Sequence, residues 1–483
     1  MKNLTKCLAV IAVFACQPTK YIDGEKPQIT YREPAKPAPP IQPRPPGNPS
    51  FITLDRLEET ILLDLNNITS RQDRENTRYL IACDRTNQGL KTDEFEQGIN
   101  LALNGLSDER FLTKVVRIGA EGCIYRFDID DYTLTRSEWV LIEQNVLLDF
   151  VSKSTRNQNI QFLTQSLKPY LFGADFVTTV YEADAVADKG GDVYYNLVDQ
   201  PDLTHNFFLQ QGIVVADEVL DGNVLFAGFS ESLIALGKTR LLQVIESDNG
   251  YCLSTYDTAL GGDDLFQNPF TRELAWVGGF SGVRVFEHAA QEHFCTTNAG
   301  LFVWRLNNAD DTAEIVAPNN IVTNIGNERI DTAIRIGDCA NCHYKGAIAF
   351  KDQIGRHILS NPAFGADEKA ISQIFFRGDK ISAVINKIND RHAIALEELD
   401  ITAEKDPMTQ DVIRPLREEM DANQVAAFTF LPTDIFLERL RGTSKSSQVF
   451  GALFSGGKVN LAVLSNNFGT LVDELLIFQD VEL

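Results

Sequence analysis

The chain has 483 residues, of which 44% are hydrophobic and 23% are charged, as in an ordinary globular protein. Acidic residues outnumber basic ones by 67 to 44, so the formal net charge is −23. This balance argues against free nucleic acid as a partner, because phosphate binding needs clustered Lys and Arg. The chain is long enough for two or three domains with their own hydrophobic cores.

The first 16 residues, MKNLTKCLAVIAVFAC, have the layout of a secretory signal, with a charged start and an apolar run too short to span a bilayer. The stretch ending at Cys16 is similar to the lipobox of bacterial lipoproteins, in which this cysteine carries the lipid, although Phe14 departs from the usual smaller residue. We therefore predict a lipoprotein signal over residues 1–16 and an envelope anchor at Cys16. Gln17 favours the outer membrane, facing the periplasm or the cell surface. An ordinary secretory signal with an incidental cysteine is the alternative.

Residues 17–50 are predicted to form a linker. Half of the 18 prolines of the chain lie between Pro27 and Pro49. A stretch of this composition favours extended polyproline II and cannot bury a core, so it acts as a semi-rigid spacer. A lipid anchor followed by such a spacer would hold a folded body away from the membrane surface.

Residues 51–330 alternate between helical and strand-like patterns, which predicts an α+β domain of unknown role. Apolar residues recur at helical spacing over 53–65 and 92–106. Strand-like runs follow at 123–132, 212–219, 223–229 and 300–306. The region contains no nucleotide-binding loop, zinc-protease motif or nucleophile elbow. It therefore shows no recognised catalytic motif.

The cysteines predict two disulfides. Of the eight, Cys7 leaves with the signal, Cys16 takes the lipid, and two belong to a motif described below. The remaining four form an even set in an oxidising compartment, where disulfides persist: Cys83, Cys123, Cys252 and Cys295. Pairing of Cys83 with Cys123 and of Cys252 with Cys295 is favoured, because each pair lies within one sub-region. Four buried thiols are the alternative.

The sequence Cys339-Ala340-Asn341-Cys342-His343 is the C-x-x-C-H pattern of covalent haem attachment. In such a motif two thiolates add to the two vinyl groups of the haem, and the adjacent imidazole becomes the proximal iron ligand. A zinc site would need two further ligands at suitable spacing, and a redox dithiol has no need of His343. We therefore predict one covalent haem c, held by Cys339, Cys342 and His343.

The distal iron ligand is left open by the sequence. Met408 is the preferred candidate, because it precedes a predicted helix over 420–432 that is similar to the C-terminal helix of class I cytochromes c. His357, on a predicted helix soon after the haem motif, is the main alternative. His392, Met420 and an open sixth position are the others.

Residues 331–440 are predicted to form a mostly α-helical, cytochrome c-like haem domain. Asp421 and Gln424 predict a capping box at the start of its last helix, and Pro432 predicts the end of that helix. Residues 441–483 are predicted to be a helical extension that packs back on the body.

The chain also resembles a large family of exported, mostly uncharacterised bacterial proteins with one late C-x-x-C-H. The resemblance spans about residues 75–440. Members typically have a polar, Met-containing haem motif, whereas Ala340 and Asn341 fill those places here. The resemblance implies an exported mono-haem protein, and implies neither a substrate nor a distal ligand. It rests on TRYL at 77–80, GCIYRFDIDDY at 122–132, FAGF at 226–229, YDT at 256–258, DDLFQNPF at 263–270, NAGLFVWRL at 298–306 and GDCANCHYKG at 337–346.

These patterns lead us to expect a membrane-tethered c-type cytochrome that passes single electrons to or from an unknown protein partner. A peroxidase-like haem enzyme or sensor is the alternative if the sixth position is open. A surface-binding lipoprotein with an incidental haem is a further alternative. His288 and His293 are interpreted as structural, with a metal site that also includes Cys295 as the competing interpretation.

Overall fold

The structure is a computed structural model, and it describes residues 51–87, 92–148, 157–182, 192–230, 239–258, 265–272, 274, 285–317 and 333–477. The predicted signal, the lipid site at Cys16 and the proline-rich linker fall on residues 1–50, outside the described residues. Helices and strands both occur in the described part, which confirms the mixed α+β class. None of the described helices is long and apolar enough to cross a membrane.

Two sheets organise the first part of the chain. A four-stranded sheet has the order β2-β3-β1-β4, in which β1 is parallel to β4 and antiparallel to β3. A six-stranded antiparallel sheet runs in chain order from β5 to β10. The strands are β1 Thr77–Ile81, β2 Val116–Ile118, β3 Ile124–Asp128, β4 Tyr170–Phe172, β5 Leu225–Phe229, β6 Arg240–Ser247, β7 Gly250–Asp257, β8 Ala290–Thr296, β9 Phe302–Asn308 and β10 Ala313–Glu314.

Helices surround both sheets and make up most of the described chain after residue 333. Short 3-10 helices occur at Ile129–Tyr132 and Gly451–Ser455, and a π-helical turn occurs at Met408–Ile413. The α-helices are α1 Leu54–Asn67, α2 Arg71–Asn76, α3 Cys83–Asn87, α4 Asp93–Asn104, α5 Arg136–Asn145, α6 Gln158–Thr164, α7 Gly173–Tyr181, α8 Val193–Leu197, α9 Thr204–Gln210, α10 Val215–Asp221, α11 Ile336–Cys342, α12 Ile354–Ser360, α13 Ala366–Phe375, α14 Gly378–Glu398, α15 Arg414–Arg417, α16 Ala422–Ala427, α17 Thr433–Arg441, α18 Ser446–Val449 and α19 Leu461–Glu474.

The strongly periodic segments form the elements that the sequence predicts. Helices α1 and α4 and strands β5 and β9 lie where expected, and α17 and α19 confirm helices in the C-terminal part. The run over 123–132 is a strand only as far as Asp128, whose side chain accepts a hydrogen bond from the backbone N–H of Asp130 at 3.0 Å and starts a 3-10 helix. Local capping by aspartate therefore ends the strand early.

Two predicted elements were wrong in type or length. The run over 212–219 contains the start of α10 instead of a strand, because Val215 and Val219 lie four residues apart and Gly222 ends the helix at φ +73°. Helix α16 begins with the predicted capping box but ends at Ala427, before Pro432. The chain leaves the helix there, and the rings of Phe428 and Phe430 pack on Phe172 of β4 at 5.0 and 5.5 Å.

Both predicted disulfide pairs are confirmed. Cys83 at the start of α3 is bonded to Cys123, just before β3, with 5.0 Å between the Cα atoms. Cys252 and Cys295 are bonded at directly opposite positions of β7 and β8, with 4.0 Å between the Cα atoms. Each bond therefore fastens a strand of one of the two sheets.

The sheet formed by β5–β9 presents two different faces, because successive side chains of a strand point to opposite sides. One face, here called the inner face, packs with the helices of the main core and carries Ala227, Leu242, Leu253, Phe294 and Trp304. The other, here called the outer face, belongs to a second core and carries Phe226, Leu241, Cys252, Cys295 and Val303.

Residues from before and after position 330 share the main core. Phe172, Phe294 and Trp304 from the strands lie in the same buried cluster as Met408 and Phe428 from the helical part. The helical part is thus packed directly on both sheets, and some of its apolar side chains are buried against their strands.

Candidate haem site

Helix α11 carries the C-x-x-C-H motif, and its first turn is held by a backbone hydrogen bond and by an ion pair. Asp338 accepts a hydrogen bond from the backbone N–H of Arg335 at 3.0 Å, which caps the helix. The guanidinium of Arg335 lies 3.6 Å from a carboxylate oxygen of Glu182, which also pairs with Arg417. These contacts fix where the helix begins, and thereby fix the direction in which the motif points.

The two cysteines of the motif line one cavity together with His343. Cys339 and Cys342 are three residues apart and therefore share a face of α11. The cavity has a volume of about 190 Å³, against roughly 10–15 Å³ for a cavity that holds one water. Its walls are mainly apolar and come from the inner face and from the segment after the motif: Phe229, Leu242, Leu253, Phe294, Trp304, Ile334, Ala347, Ile348, Ala349, Phe350 and Ile385.

His343 lies at the C-terminal end of α11, between aromatic rings. Its ring centroid is 5.1 Å from that of Phe294 and 5.5 Å from that of Trp304. The side chain keeps some surface accessible from the cavity, yet the surrounding protein desolvates it and lowers its pKa to about 4. The positive charge of Arg240 acts in the same direction. The imidazole is therefore neutral at neutral pH, which is the form that binds a metal.

The Nδ1 atom of His343 lies 3.3 Å from the carbonyl oxygen of Gly346. When Nδ1 donates to this carbonyl, Nε2 is the nitrogen with a lone pair for a metal, and the hydrogen bond fixes the ring orientation. Gly346 has φ +108°, and a Cβ there would lie 2.2 Å from Oδ1 of Asn389. Only glycine fits this turn without displacing Asn389, which holds the backbone of Ala347 through hydrogen bonds of 2.7 and 3.0 Å.

A second, smaller pocket of about 30 Å³ also borders His343. Two of the predicted distal ligands, Met408 and His392, line it. The ring nitrogens of His392 lie 3.2 Å from the carbonyl of Gly300 and 2.9 Å from that of Tyr344. Both nitrogens of His392 thus face carbonyl oxygens, to which a neutral imidazole can donate only one hydrogen bond. The larger cavity has neither residue in its lining.

The other two distal candidates lie elsewhere. Nε2 of His357 is 3.0 Å from the carbonyl oxygen of Phe266, and its ring packs against Phe266 and Phe364 in the second core. Met420 is buried and its backbone pairs with Val459. Neither residue lines the larger cavity or the smaller pocket.

His288 and His293, which lie just before and within β8, do not form a metal site with Cys295 in the described part of the chain. Cys295 is taken up by its disulfide, and the His293 ring is held on the outer face by Ser254 at 2.8 Å and Gln291 at 2.9 Å. Among the described residues, no group of three or more His, Cys, Asp or Glu side chains is placed to hold a metal ion.

One cluster that the sequence did not indicate reaches the wall of the larger cavity, which Arg240 and Glu292 line and Asp257 does not. Arg240 on β6 donates to both carboxylate oxygens of Asp257 on β7, at 2.5 and 2.7 Å, and to Glu292 on β8 at 2.9 Å. Although burial lowers the pKa of Arg240, the two carboxylates raise it overall. The sequence signal is weak, since other polar or charged residues occur in the same three strands.

Comparison of the chain with protein-family models, with curated proteins and with solved structures finds no match.

Proposed function

We propose that the protein is a c-type cytochrome that binds one covalent haem at Cys339, Cys342 and His343 and transfers single electrons in the cell envelope. The observation that carries this proposal is the meeting of the three side chains at one cavity, with both cysteines outside the two disulfides. A haem held there supplies one-electron redox chemistry.

The residues that line the cavity have the chemical groups needed to hold a covalent haem. Two thiols three residues apart on one helix face provide the attachment points, and a neutral imidazole with its Nδ1 already engaged provides a nitrogen ligand. The aromatic and aliphatic walls exclude water and lower the local dielectric, which is how a protein tunes a redox centre. Met408 stays our distal candidate from its place in the sequence; it borders His343 in the smaller pocket and does not line the cavity that the two cysteines share.

The remaining parts of the proposal follow from the sequence. Lipidation of Cys16 would tether the protein to the outer membrane through the proline-rich linker, and a redox protein would be its partner. Membership in a family of exported mono-haem proteins and a cytochrome c-like organisation of residues 331–440 belong to the same proposal. They are supported by the order of the motifs along the chain.

The test is to export the protein in a bacterial host that attaches c-type haem, and to record its mass and its visible spectrum. We expect a mass increase of one haem and a c-type spectrum that survives acid–acetone extraction. The variant with Cys339→Ala and Cys342→Ala should lose both signals, because no thioether can form.

The matched control is the variant with Cys83→Ala and Cys123→Ala. It also removes two cysteines, but these lie in a disulfide of the first sheet. This control should be less stable, but the folded variant should retain covalent haem. A wild-type protein without covalent haem would contradict the proposal, and so would equal haem content in the two double variants.

A further inference from the structure

We propose that Arg240 binds a propionate group of the haem, so that the six-stranded sheet supplies a cofactor-binding residue from outside the haem motif. Haem carries its two propionate carboxylates on the half of the porphyrin that lies opposite the two vinyl groups. Arg240 lies at the start of β6 and lines the larger cavity together with the two cysteines of the motif. This inference rests on the proposed function, because it names the residue that would hold the far end of the same haem.

In the described part of the chain, the guanidinium of Arg240 has one nitrogen without a hydrogen-bond acceptor. Nε and Nη2 donate to the two carboxylate oxygens of Asp257 at 2.5 and 2.7 Å, and Nη2 also donates to Glu292 at 2.9 Å. No described residue accepts a hydrogen bond from Nη1. Only 8% of this side chain is exposed, and a buried donor without an acceptor is costly. An acceptor inside the cavity would therefore stabilise Nη1.

Arg305 also lines the cavity, but its nitrogens have acceptors elsewhere. Nε donates to Asn307 at 2.8 Å, Nη1 donates to the carbonyl oxygen of Pro201 at 2.5 Å, and Nη2 donates to that of Asp202 at 2.6 Å. All three acceptors belong to the protein itself. Of these two arginines, Arg240 is thus the one with a nitrogen available to a group in the cavity.

The strand register places Arg240 far from the aromatic rings that contact His343. The His343 ring packs on Phe294 of β8, and Phe294 is aligned with Val244 of β6 through Leu253 of β7. Arg240 lies two strands from Phe294 and four residues before Val244, so its Cα atom is about 10 Å from that of Phe294 across the strands and about 14 Å along them. This is the scale of a porphyrin with its side chains. A haem attached at α11 would therefore extend its propionate end towards Arg240.

A carboxylate suits the free nitrogen of Arg240 chemically. Charge-assisted hydrogen bonds between guanidinium and carboxylate groups are among the strong ones, and an anionic group in an otherwise apolar cavity needs such a partner. Glu292 is the competitor, because it lines the same cavity and accepts one hydrogen bond from Arg240. Asp257 accepts two and lies outside the lining. Removing the charge of Glu292 should therefore strengthen the contact between Arg240 and a propionate.

The first experiment records the resonance Raman spectrum of the exported holoprotein, in which the haem propionates have bending bands of their own. Loss of a hydrogen bond to a propionate moves its band to lower frequency. We expect this shift in Arg240→Gln and expect Arg240→Lys, which keeps the charge, to restore part of the wild-type frequency. The matched control is Arg305→Gln, which removes a buried arginine of the same cavity wall and should leave the band in place.

The second experiment measures the same contact without thioether bonds. The full chain with Cys339→Ala and Cys342→Ala is titrated with haemin and with haemin dimethyl ester, whose propionates carry no charge. We expect the ratio of the two dissociation constants to fall about tenfold when Arg240→Gln is added, because a charge-assisted hydrogen bond is lost. Arg305→Gln should keep the preference for haemin, and Glu292→Gln should increase it. A loss of stability that weakens both ligands equally cancels in the ratio.

Each outcome bears on the proposal. An unshifted propionate band in Arg240→Gln, or an equal shift in Arg305→Gln, overturns the role of Arg240, while the covalent haem that gives the spectrum leaves the proposed function intact. An unchanged preference for haemin in Arg240→Gln also overturns it, even where the holoprotein of this variant does not accumulate. Absence of covalent haem in the wild type removes both the proposed function and this inference.

Discussion

The two faces of the sheet formed by β5–β9 differ in how they are covered. On the outer face, the His293 ring packs on Phe208 at 5.4 Å, and a disulfide joins neighbouring strands. On the inner face, the same strands leave a cavity of about 190 Å³ that is closed by α11 and the segment after it. One side of the sheet is thus packed against helices, whereas the other side borders a cavity.

The comparison predicts that substitutions of residues that contact the proposed haem change the spectrum, whereas substitutions on the outer face change only stability. The largest effect is expected from Met408→Ala. If the thioether coordinates the iron, the variant should lose the far-red band of Met-ligated oxidised cytochromes completely.

Met420→Ala is the control, because it removes a buried methionine that lines neither pocket. It should keep the band, despite a loss of stability of about 2–5 kcal/mol. A band that persists in Met408→Ala would mean that this side chain only fills the smaller pocket.

The next effect concerns the disulfide of the outer face. Replacing Cys252 and Cys295 by Ala should lower the free energy of unfolding by about 2–5 kcal/mol, as for other native disulfides. The measurement is denaturant unfolding under oxidising conditions. The visible spectrum of the folded variant should match the wild type, and a changed spectrum would show that the two faces are not independent.

A smaller effect concerns the pH dependence of stability through His293. Burial lowers the pKa of His293 to about 3, from an ordinary value of 6.5. Below pH 6.5 the unfolded chain binds a proton that the folded chain does not, so stability is lost as the pH falls from about 6.5 to about 3. His293→Gln should reduce the loss between pH 7 and pH 4 by on the order of 2 kcal/mol.

The check is urea unfolding of wild type and His293→Gln at several pH values. Other buried groups titrate in both proteins, so only the difference between the two curves is informative. Parallel curves would contradict the assignment of this pH dependence to His293.

The smallest effect is expected from Tyr194→Phe, at the edge of the cavity side. The Tyr194 hydroxyl accepts a hydrogen bond from the backbone N–H of Trp304 at 3.0 Å. Its removal should lower the free energy of unfolding by about 1 kcal/mol and leave the spectrum unchanged. A large spectral change would instead mean that this contact positions Trp304 against His343.

The sequence predicted features that depend on short spacing. The capping box of α16 and the periodic helices α1 and α4 are local patterns, and the cysteine pairs were found by assigning each pair to one sub-region. The prediction of a strand over 212–219 was wrong, because a short apolar segment is compatible with a strand and with a helix.

Features that depend on strand register were not predictable in this way. Arg240, Asp257 and Glu292 meet only because three strands align at those positions, and nothing in the local sequence encodes that alignment. The places of the distal candidates likewise depend on the fold: Met408 and His392 line the smaller pocket, whereas His357 lies in the second core.

The order of the elements along the chain has a consequence for assembly. Strands β5–β9 end at Asn308, and α11 starts at Ile336, so the strands that form part of the cavity wall are synthesised before the cysteines that face it. A fragment that began at residue 331 would present its thiols without that wall, and its apolar surfaces would be open to water. Because the motif comes late in the chain, α11 can pack against strands that have already been synthesised.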